Sequence, residues 1–322
     1  MPTANRVCLL GATGTIGRAT LRALLRRGHE VVCFVRPRAG ELPVIDGAEG
    51  RVVDLSDPLS ISRDGFRGEP FDAVLSCMAS RTGAPADAWA VDHRAHLDVL
   101  AQARAVEVGH FVLLSAICVQ RPKLAFQHAK LAFEAALIGS GLSYSIVRPT
   151  AFFKSLSGQV ERVKRGRPFL LFGDGGLTAC KPISDGDLAN YLVECVTSED
   201  RWGRVLPIGG PGEAITPRQQ GDALFALLGR APHFRQVPVA LLDTLIAGLG
   251  VAARVAPSLG EKAELARIGR YYATESMLLL NPRTGRYDAG GTPSTGTETL
   301  FDHYSALLAG GVLPERGDHA VF

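Results

Sequence analysis

LLGATGTIGRA, residues 9 to 19, sets Gly11, Gly14 and Gly17 between an apolar run ending at Leu10 and a segment of helical periodicity. A tight turn leaving a strand needs a residue free to take positive φ, and a backbone that must approach a pyrophosphate closely tolerates no side chain. The helix that follows offers unpaired N–H groups and the positive end of its dipole, and both favour an anion. Glycine satisfies all of this. An ordinary strand-to-helix turn would also accept three glycines. The position of these, after the first strand and opening the first helix, favours a dinucleotide loop made of Gly11, Thr13, Gly14, Thr15, Ile16 and Gly17.

Outward from the loop, short β-branched runs alternate with helical periodicity, the pattern of strands joined by crossover helices. RVCLL (6 to 10), EVVCFV (30 to 35), RVVDL (51 to 55), DAVLSC (72 to 77), HFVLLSA (110 to 116) and YSIVRP (144 to 149) read as six strands. Their near-continuous apolarity fits a parallel sheet covered on both faces. Residues 16 to 28 form a helix stopped by Gly28. The expected fold is α/β, a Rossmann-type doubly wound parallel sheet with a smaller C-terminal substrate lobe. After Pro149 the rhythm changes to glycine-rich turns, short strands and separate helices, so an NADP-binding domain is expected over 1 to 155. A substrate-binding lobe is expected over 156 to 322, part of it free to return to the sheet. SDGD (184 to 187) and TPRQ (216 to 219) carry helix-start signals, with Pro217 at a first helical position.

At 322 residues, 46% hydrophobic and 21% charged, the chain can bury a substantial core. A net charge of +3 without basic runs interleaved with aromatics excludes a nucleic-acid partner. The six cysteines show no C-x-x-C spacing and read as reduced, buried thiols. His93 and His96 lie three apart on a predicted helix, yet no third ligand is near in sequence, so no metal site is expected. MPTANRVCLLG enters a strand at once, leaving no room for a leader, so a cytoplasmic protein is expected. Asp243 and Arg254 interrupt the apolar stretch 237 to 257, which reads as a docked helix short of a membrane span.

The second strand distinguishes the two nicotinamide cofactors. Where an NAD site places a carboxylate for the ribose 2′-hydroxyl, this chain has FVRPRAG, with Arg36 and Arg38. A guanidinium meets a phosphate through two parallel hydrogen bonds, so NADPH is expected, with Arg36 as principal 2′-phosphate ligand. Cys77, Met78 and Ala79 follow the fourth strand, where small or apolar residues let a dinucleotide lie across the sheet edge. The G-x-x-G-x-x-G spacing resembles short-chain dehydrogenase/reductases. That resemblance implies that Asp54 meets the adenine, although a turn-capping role suits it nearly as well. It also implies that Ser115 stands where relatives keep a catalytic serine, with Pro149 closing the cofactor-binding set.

FQHAK, residues 126 to 130, then poses a chemical question. Phe126 and Lys130 share a helix face, while His128 points to the opposite side. Carbonyl reducers of the resembled superfamily carry a tyrosine at the position of Phe126, which protonates the developing alkoxide, and the lysine holds the nicotinamide ribose. Phenylalanine cannot supply that proton. Lys130 can still orient the cofactor, which matters because hydride transfer needs its carbons within about 3 to 3.5 Å. A carbon–carbon double bond conjugated to a large π-system forms no alkoxide: hydride adds to its terminal carbon and the charge spreads into the ring.

LLSAICVQRPKLAFQHAKLAFEAAL, YSIVRPTAFFKSLSGQVERV, FGDGGLTACKPIS, IGGPGEAITPRQQG, ARIGRYYATESMLLLNPRTGRYD and the closing GDHAVF are far more specific than the glycine loop. Through them the whole chain resembles the NADPH-dependent divinyl chlorophyllide 8-vinyl reductases. The resemblance implies reduction of the 8-vinyl group of a magnesium porphyrinoid, chlorophyllide or protochlorophyllide, to ethyl. It also implies that Phe126 is the family's own residue. Plant relatives carry a transit extension, and its absence here is expected to mark a bacterial-type cytoplasmic enzyme. Phe152 and Phe153 are expected to line the macrocycle. The apolar helix at 238 to 256 and RYYATESM (270 to 277) are expected to close over it or to touch a membrane at the periphery. The rival reading is a noncatalytic NADP(H)-binding regulator of the NmrA-like kind, or a structural subunit with a retained nucleotide.

Overall fold

β1 (Arg6–Leu10) sends Val7 and Leu9 into one core and Cys8 and Leu10 into another, the period-2 alternation of a strand covered on both faces. It is central to the sheet in the computed structural model, which describes residues 4–37, 45–256 and 259–311. The longer of the other strands are β2 (Glu30–Val35), β3 (Glu49–Val52), β4 (Ala73–Ser76), β5 (His110–Leu114), β6 (Ser143–Pro149), β7 (Phe169–Phe172), β8 (Arg204–Ile208) and β9 (Phe234–Val237). Seven of them form one parallel sheet in the order β3-β2-β1-β4-β5-β6-β8. The order reverses between β1 and β4, and in open α/β sheets a ligand crevice lies at such a point, beyond the carboxyl ends of the strands.

The longer helices are α1 (Thr15–Arg26), α2 (His96–Ala105), α3 (Ala125–Ile138), α4 (Asp185–Thr197), α5 (Pro217–Leu227), α6 (Val239–Ala252), α7 (Leu259–Thr274) and α8 (Leu300–Leu308). On one face, Ala19, Ala23 and Leu24 of α1 pack with Leu188, Leu192 and Val196 of α4 over Val7 and Leu9. On the other, Val99 and Ala103 of α2 and Phe133 and Leu137 of α3 cover Cys8, Leu10, Val74 and Phe111. A third core, with Phe169, Leu171, Phe225 and Tyr304, builds the second lobe around the two-stranded β7–β9 sheet.

Within the seven-stranded sheet the sequence reading differs from the structure at two strands. β3 begins at Glu49 and its pairing with β2 ends at Val52, earlier than the expected 51 to 55. The Asp54 carboxylate takes hydrogen bonds from the N–H and hydroxyl of Ser56, which turns the chain there. β8 was not among the six expected strands. It lies at the sheet edge, where Pro207 can sit beside Arg148 without depriving an inner neighbour of a donor. Thus residues 185 to 208 bring both a helix and a strand back to the nucleotide half.

The helix-start signals have their expected partners. Ser184 Oγ accepts from the Asp187 N–H, and Thr216 and Gln219 make a reciprocal capping box with Pro217 at the first turn.

Candidate cofactor and substrate site

The three loop glycines answer to different causes. Gly11 has φ +75°, and a Cβ there would lie 2.8 Å from the Cys77 and Met78 backbone. A Cβ on Gly17 would come within 2.0 Å of the Gly11 carbonyl oxygen. Both are required by the packing of strand, loop and helix. Gly14 is different: its Cβ would meet only the Gly11 oxygen, at 3.4 Å. The fold itself has room for a methyl at this exposed position. Gly14 is also the N-cap of α1 and caps it with no side chain, and the first turn holds no acidic residue. A helix start left bare and uncharged fits a phosphate that comes close to the backbone. Thr13 is exposed, while the Ile16 side chain lies in the core, so only the backbone of Ile16 is at the loop. Lys154, from just after β6, donates from Nζ to Thr15 Oγ1 at 2.9 Å and brings a cation to the helix start.

Arg36 is exposed directly beyond β2, on the same edge. Arg38 lies outside the described residues. The Asp54 carboxylate is engaged with Ser56, which fills the turn-capping role left open by the sequence. Cys77, Met78 and Ala79 follow β4. Burial pushes the Cys77 thiol up to about 12, so it is a packing group rather than a nucleophile. A chain of hydrogen bonds holds this segment. The Met78 N–H reaches Ser76 Oγ at 3.3 Å, and Ser76 Oγ lies 2.8 Å from His96 Nε2. His96 Nδ1 lies 2.8 Å from the Val91 carbonyl. A carbonyl only accepts, so Nδ1 carries the proton and Nε2 accepts from Ser76. Burial, followed by the charge of Lys130, lowers His96 to about 4 and keeps it neutral.

Lys130 projects from α3 onto Asp92, Nζ to Oδ1 at 2.9 Å, with the Asp92 side chain wholly buried. The same Oδ1 accepts from the Ser80 N–H, while Oδ2 is buried without a partner. Burial alone would raise the Asp92 carboxyl. The Lys130 charge and the two hydrogen bonds outweigh it and hold the group below the usual range. Asp92 lies in a short π-helical segment, Trp89–Ala95, a local widening often found at functional sites. It thereby joins the segment after β4 to the lysine of α3.

One turn before Lys130, Phe126 is half-buried against an apolar cluster of Ile117, Cys118, Leu124, Ile268 and Tyr271. α3 itself offers no phenol at this place. His128 is exposed on the far side, as the helix register requires. Gln127 caps its own helix, taking the Lys123 and Leu124 N–H groups and donating to the Cys118 carbonyl. Ser115 is buried, and its hydroxyl donates to Glu134 Oε1 at 2.5 Å. Arg148 clamps the other carboxylate oxygen. Its proton is therefore given to a protein carboxylate four residues after Lys130.

Pro149 ends β6 and is buried. Phe152 is partly buried against the first core. Phe153 corrects the sequence reading: it is 4% exposed, packs with Val160, Phe169 and Tyr304, and has no face left for a ligand. Its place at the start of a short helix turns it into the second lobe, a direction no local periodicity reveals.

Sequence reasoning missed Asp92, Glu134, Arg148 and Lys154. Glu134 carried a signal, its spacing of four from Lys130; the others come together only in space. A hollow lined by Arg6, Phe71, Asp72, His110 and Trp202 lies at the opposite ends of the strands, remote from these loops. Among the described residues no group of three or more His, Cys, Asp or Glu could hold a metal ion.

The chain matches the NAD(P)H-binding family over residues 11–199. It is 48% identical to the chloroplastic divinyl chlorophyllide a 8-vinyl-reductase of Oryza sativa subsp. indica, over 100% of this chain and 83% of that protein. It is 46% identical to the protein of the same name from Arabidopsis thaliana, over 95% and 77%. In fold it is similar to the NADPH-dependent quinone oxidoreductase QOR2 of Escherichia coli, solved with NADPH. That likeness has TM-score 0.68 and 18% identity and covers 94% of this chain and 99% of that one.

Proposed function

The chain belongs to the divinyl chlorophyllide a 8-vinyl-reductases, and from that premise we infer that its site uses NADPH to reduce the 8-vinyl group of a divinyl chlorophyllide to ethyl. The observation that carries the reading is Phe126. One helix face holds Lys130 where a cofactor ribose is oriented, and one turn earlier offers an apolar ring where a carbonyl reducer needs an acid.

When bound, NADPH supplies a hydride to the terminal vinyl carbon. Gly11, Gly14 and Gly17 with the first turn of α1 hold the pyrophosphate, and Arg36 takes the 2′-phosphate. Lys130, steadied by Asp92, orients the nicotinamide ribose. The cluster around Phe126 presents an apolar wall suited to a flat macrocycle and excludes water from its face. The negative character that develops is taken up by the conjugated ring, so no oxyanion donor is required. Magnesium enters as part of the substrate.

We further propose a cytoplasmic enzyme that touches a membrane at its periphery. α6 supports this: it has no buried residue and exposes Leu241, Leu245 and Val251. Among the described residues no helix is long and apolar enough to cross a membrane. Incubating the purified protein with NADPH and divinyl chlorophyllide a should shift the main absorption band to the blue. An unchanged pigment together with ready conversion of a ketone or sugar nucleotide overturns the reading.

A further inference from the structure

Two adjacent tyrosines of α7 stand over the segment that follows β5, and their hydroxyls differ in what they are free to do. Tyr271 is buried, and its OH is shared between the carbonyls of Cys118 and Arg121 at 2.8 and 3.1 Å. That proton is committed to fastening α7 onto the 117–121 turn. The Tyr272 ring stands at 89° to that of Tyr271, and among the described residues its hydroxyl reaches only the Cys118 sulfur, at 3.9 Å. Sulfur is a weak acceptor and 3.9 Å is a long contact, so little is lost when this hydroxyl turns to another partner. Tyr272 is 39% exposed as a residue, while its hydroxyl end is packed against the buried Cys118.

The place is the right one for the missing acid. Cys118 lies in the apolar cluster against which Phe126 packs, and its carbonyl is held by Gln127, the residue after Phe126. A phenol supplied from α7 therefore reaches Cys118, a member of the cluster against which Phe126 packs.

We propose that Tyr272 is the acid of this site, donating its phenolic proton to the vinyl carbon attached to the macrocycle. The proposal rests on the vinyl-reductase reading above. The phenolic O–H bond breaks and a C–H bond forms at the carbon bearing the delocalised charge. The two electrons and the other hydrogen come from NADPH. The phenolate left behind regains its proton from water admitted when the pigment leaves. Burial among Cys118 and its neighbours holds the phenol well above its ordinary range, so it is protonated at neutral pH.

The test compares wild type, Tyr272→Phe and Tyr271→Phe with NADPH and divinyl chlorophyllide a. NADPH affinity is read separately from nicotinamide fluorescence. Tyr272→Phe should keep its NADPH Kd within about twofold while turnover falls by about 10²- to 10⁴-fold, the usual share of a positioned acid. Tyr271→Phe should lower Tm with a much smaller effect on turnover. Should Tyr272→Phe fold poorly, 3,5-difluorotyrosine at position 272 replaces it, and this more acidic phenol should change turnover by more than about threefold with NADPH affinity unchanged. Turnover of either variant within about threefold of wild type overturns the proposal. A wild type that leaves the pigment unreduced overturns the vinyl-reductase reading instead.

Discussion

Lys130 Nζ and Asp92 Oδ1 stand 2.9 Å apart across the gap between α3 and the π-helical turn before α2, with the carboxylate fully buried and its second oxygen unpartnered. Removing one member of such a pair leaves an uncompensated buried charge, at a cost of about 3 to 5 kcal/mol. Asp92→Ala should therefore lower stability by that order. Asp92→Asn, which keeps the Ser80 hydrogen bond, should be milder in Tm yet weaken NADPH binding, because Lys130 loses its anchor. Lys130→Ala should weaken NADPH and slow turnover together. Titrating NADPH by fluorescence on each variant checks this; unchanged affinity in both Asp92→Asn and Lys130→Ala would separate the pair from the cofactor.

Arg36 lies exposed past the end of β2. A charge-assisted hydrogen-bonding contact contributes about 1.5 to 3 kcal/mol, so Arg36→Ala should lose about 10- to 100-fold in NADPH affinity. Affinity for NADH should hardly change. Competitive binding of the two reduced cofactors measures the preference, and a ratio equal to that of wild type removes Arg36 from the phosphate site.

Gly14 and Gly17 should respond to the same methyl in opposite ways. Gly17→Ala drives a Cβ to 2.0 Å from a backbone oxygen, so the loop must move, and overpacking of this kind costs about 1 to 3 kcal/mol. Gly14→Ala has 3.4 Å of clearance and should change stability by less than about 1 kcal/mol while weakening NADPH. Thermal unfolding with and without NADPH distinguishes them: a large loss of Tm in apo Gly14→Ala contradicts the assignment.

His96 and His110 are each buried, and burial lowers both to about 4 from an ordinary 6.5. A folded-state value depressed below the unfolded one gives stability that is complete above about pH 6.5 and is lost as pH falls toward 4. Each histidine then contributes on the order of 3 kcal/mol of acid destabilisation. His110 bridges Ser143 and Ser145 across β5 and β6, so His110→Gln should flatten the fall of Tm over that range. An equally steep fall in His110→Gln would assign the acid sensitivity to other groups.

The glycine loop, the flanking strands and the Phe126–Lys130 face were legible in the sequence because each is local. A loop between strand and helix, a period of two and a spacing of four are read within a few residues. β8 was missed because an edge strand bearing Pro207 carries little of that periodicity. Asp54 was ambiguous because one carboxylate spacing serves both a turn and a ligand, and its bonds to Ser56 are a local choice the chain had already made.

By itself, the order of residues determined a doubly wound sheet with a dinucleotide loop and a helix face lacking a phenol. Only the tertiary structure decided which distant side chains gather around that face. Asp92 is 38 positions before Lys130 and Tyr272 is 154 after Cys118, separations at which no periodicity links one side chain to another. Phe153, equally aromatic in sequence, was drawn into the second core instead of the ligand wall. The physical reason is that crossover connections bring distant strand ends to one edge of the sheet, and packing then selects which side chains remain at the site and which are buried elsewhere.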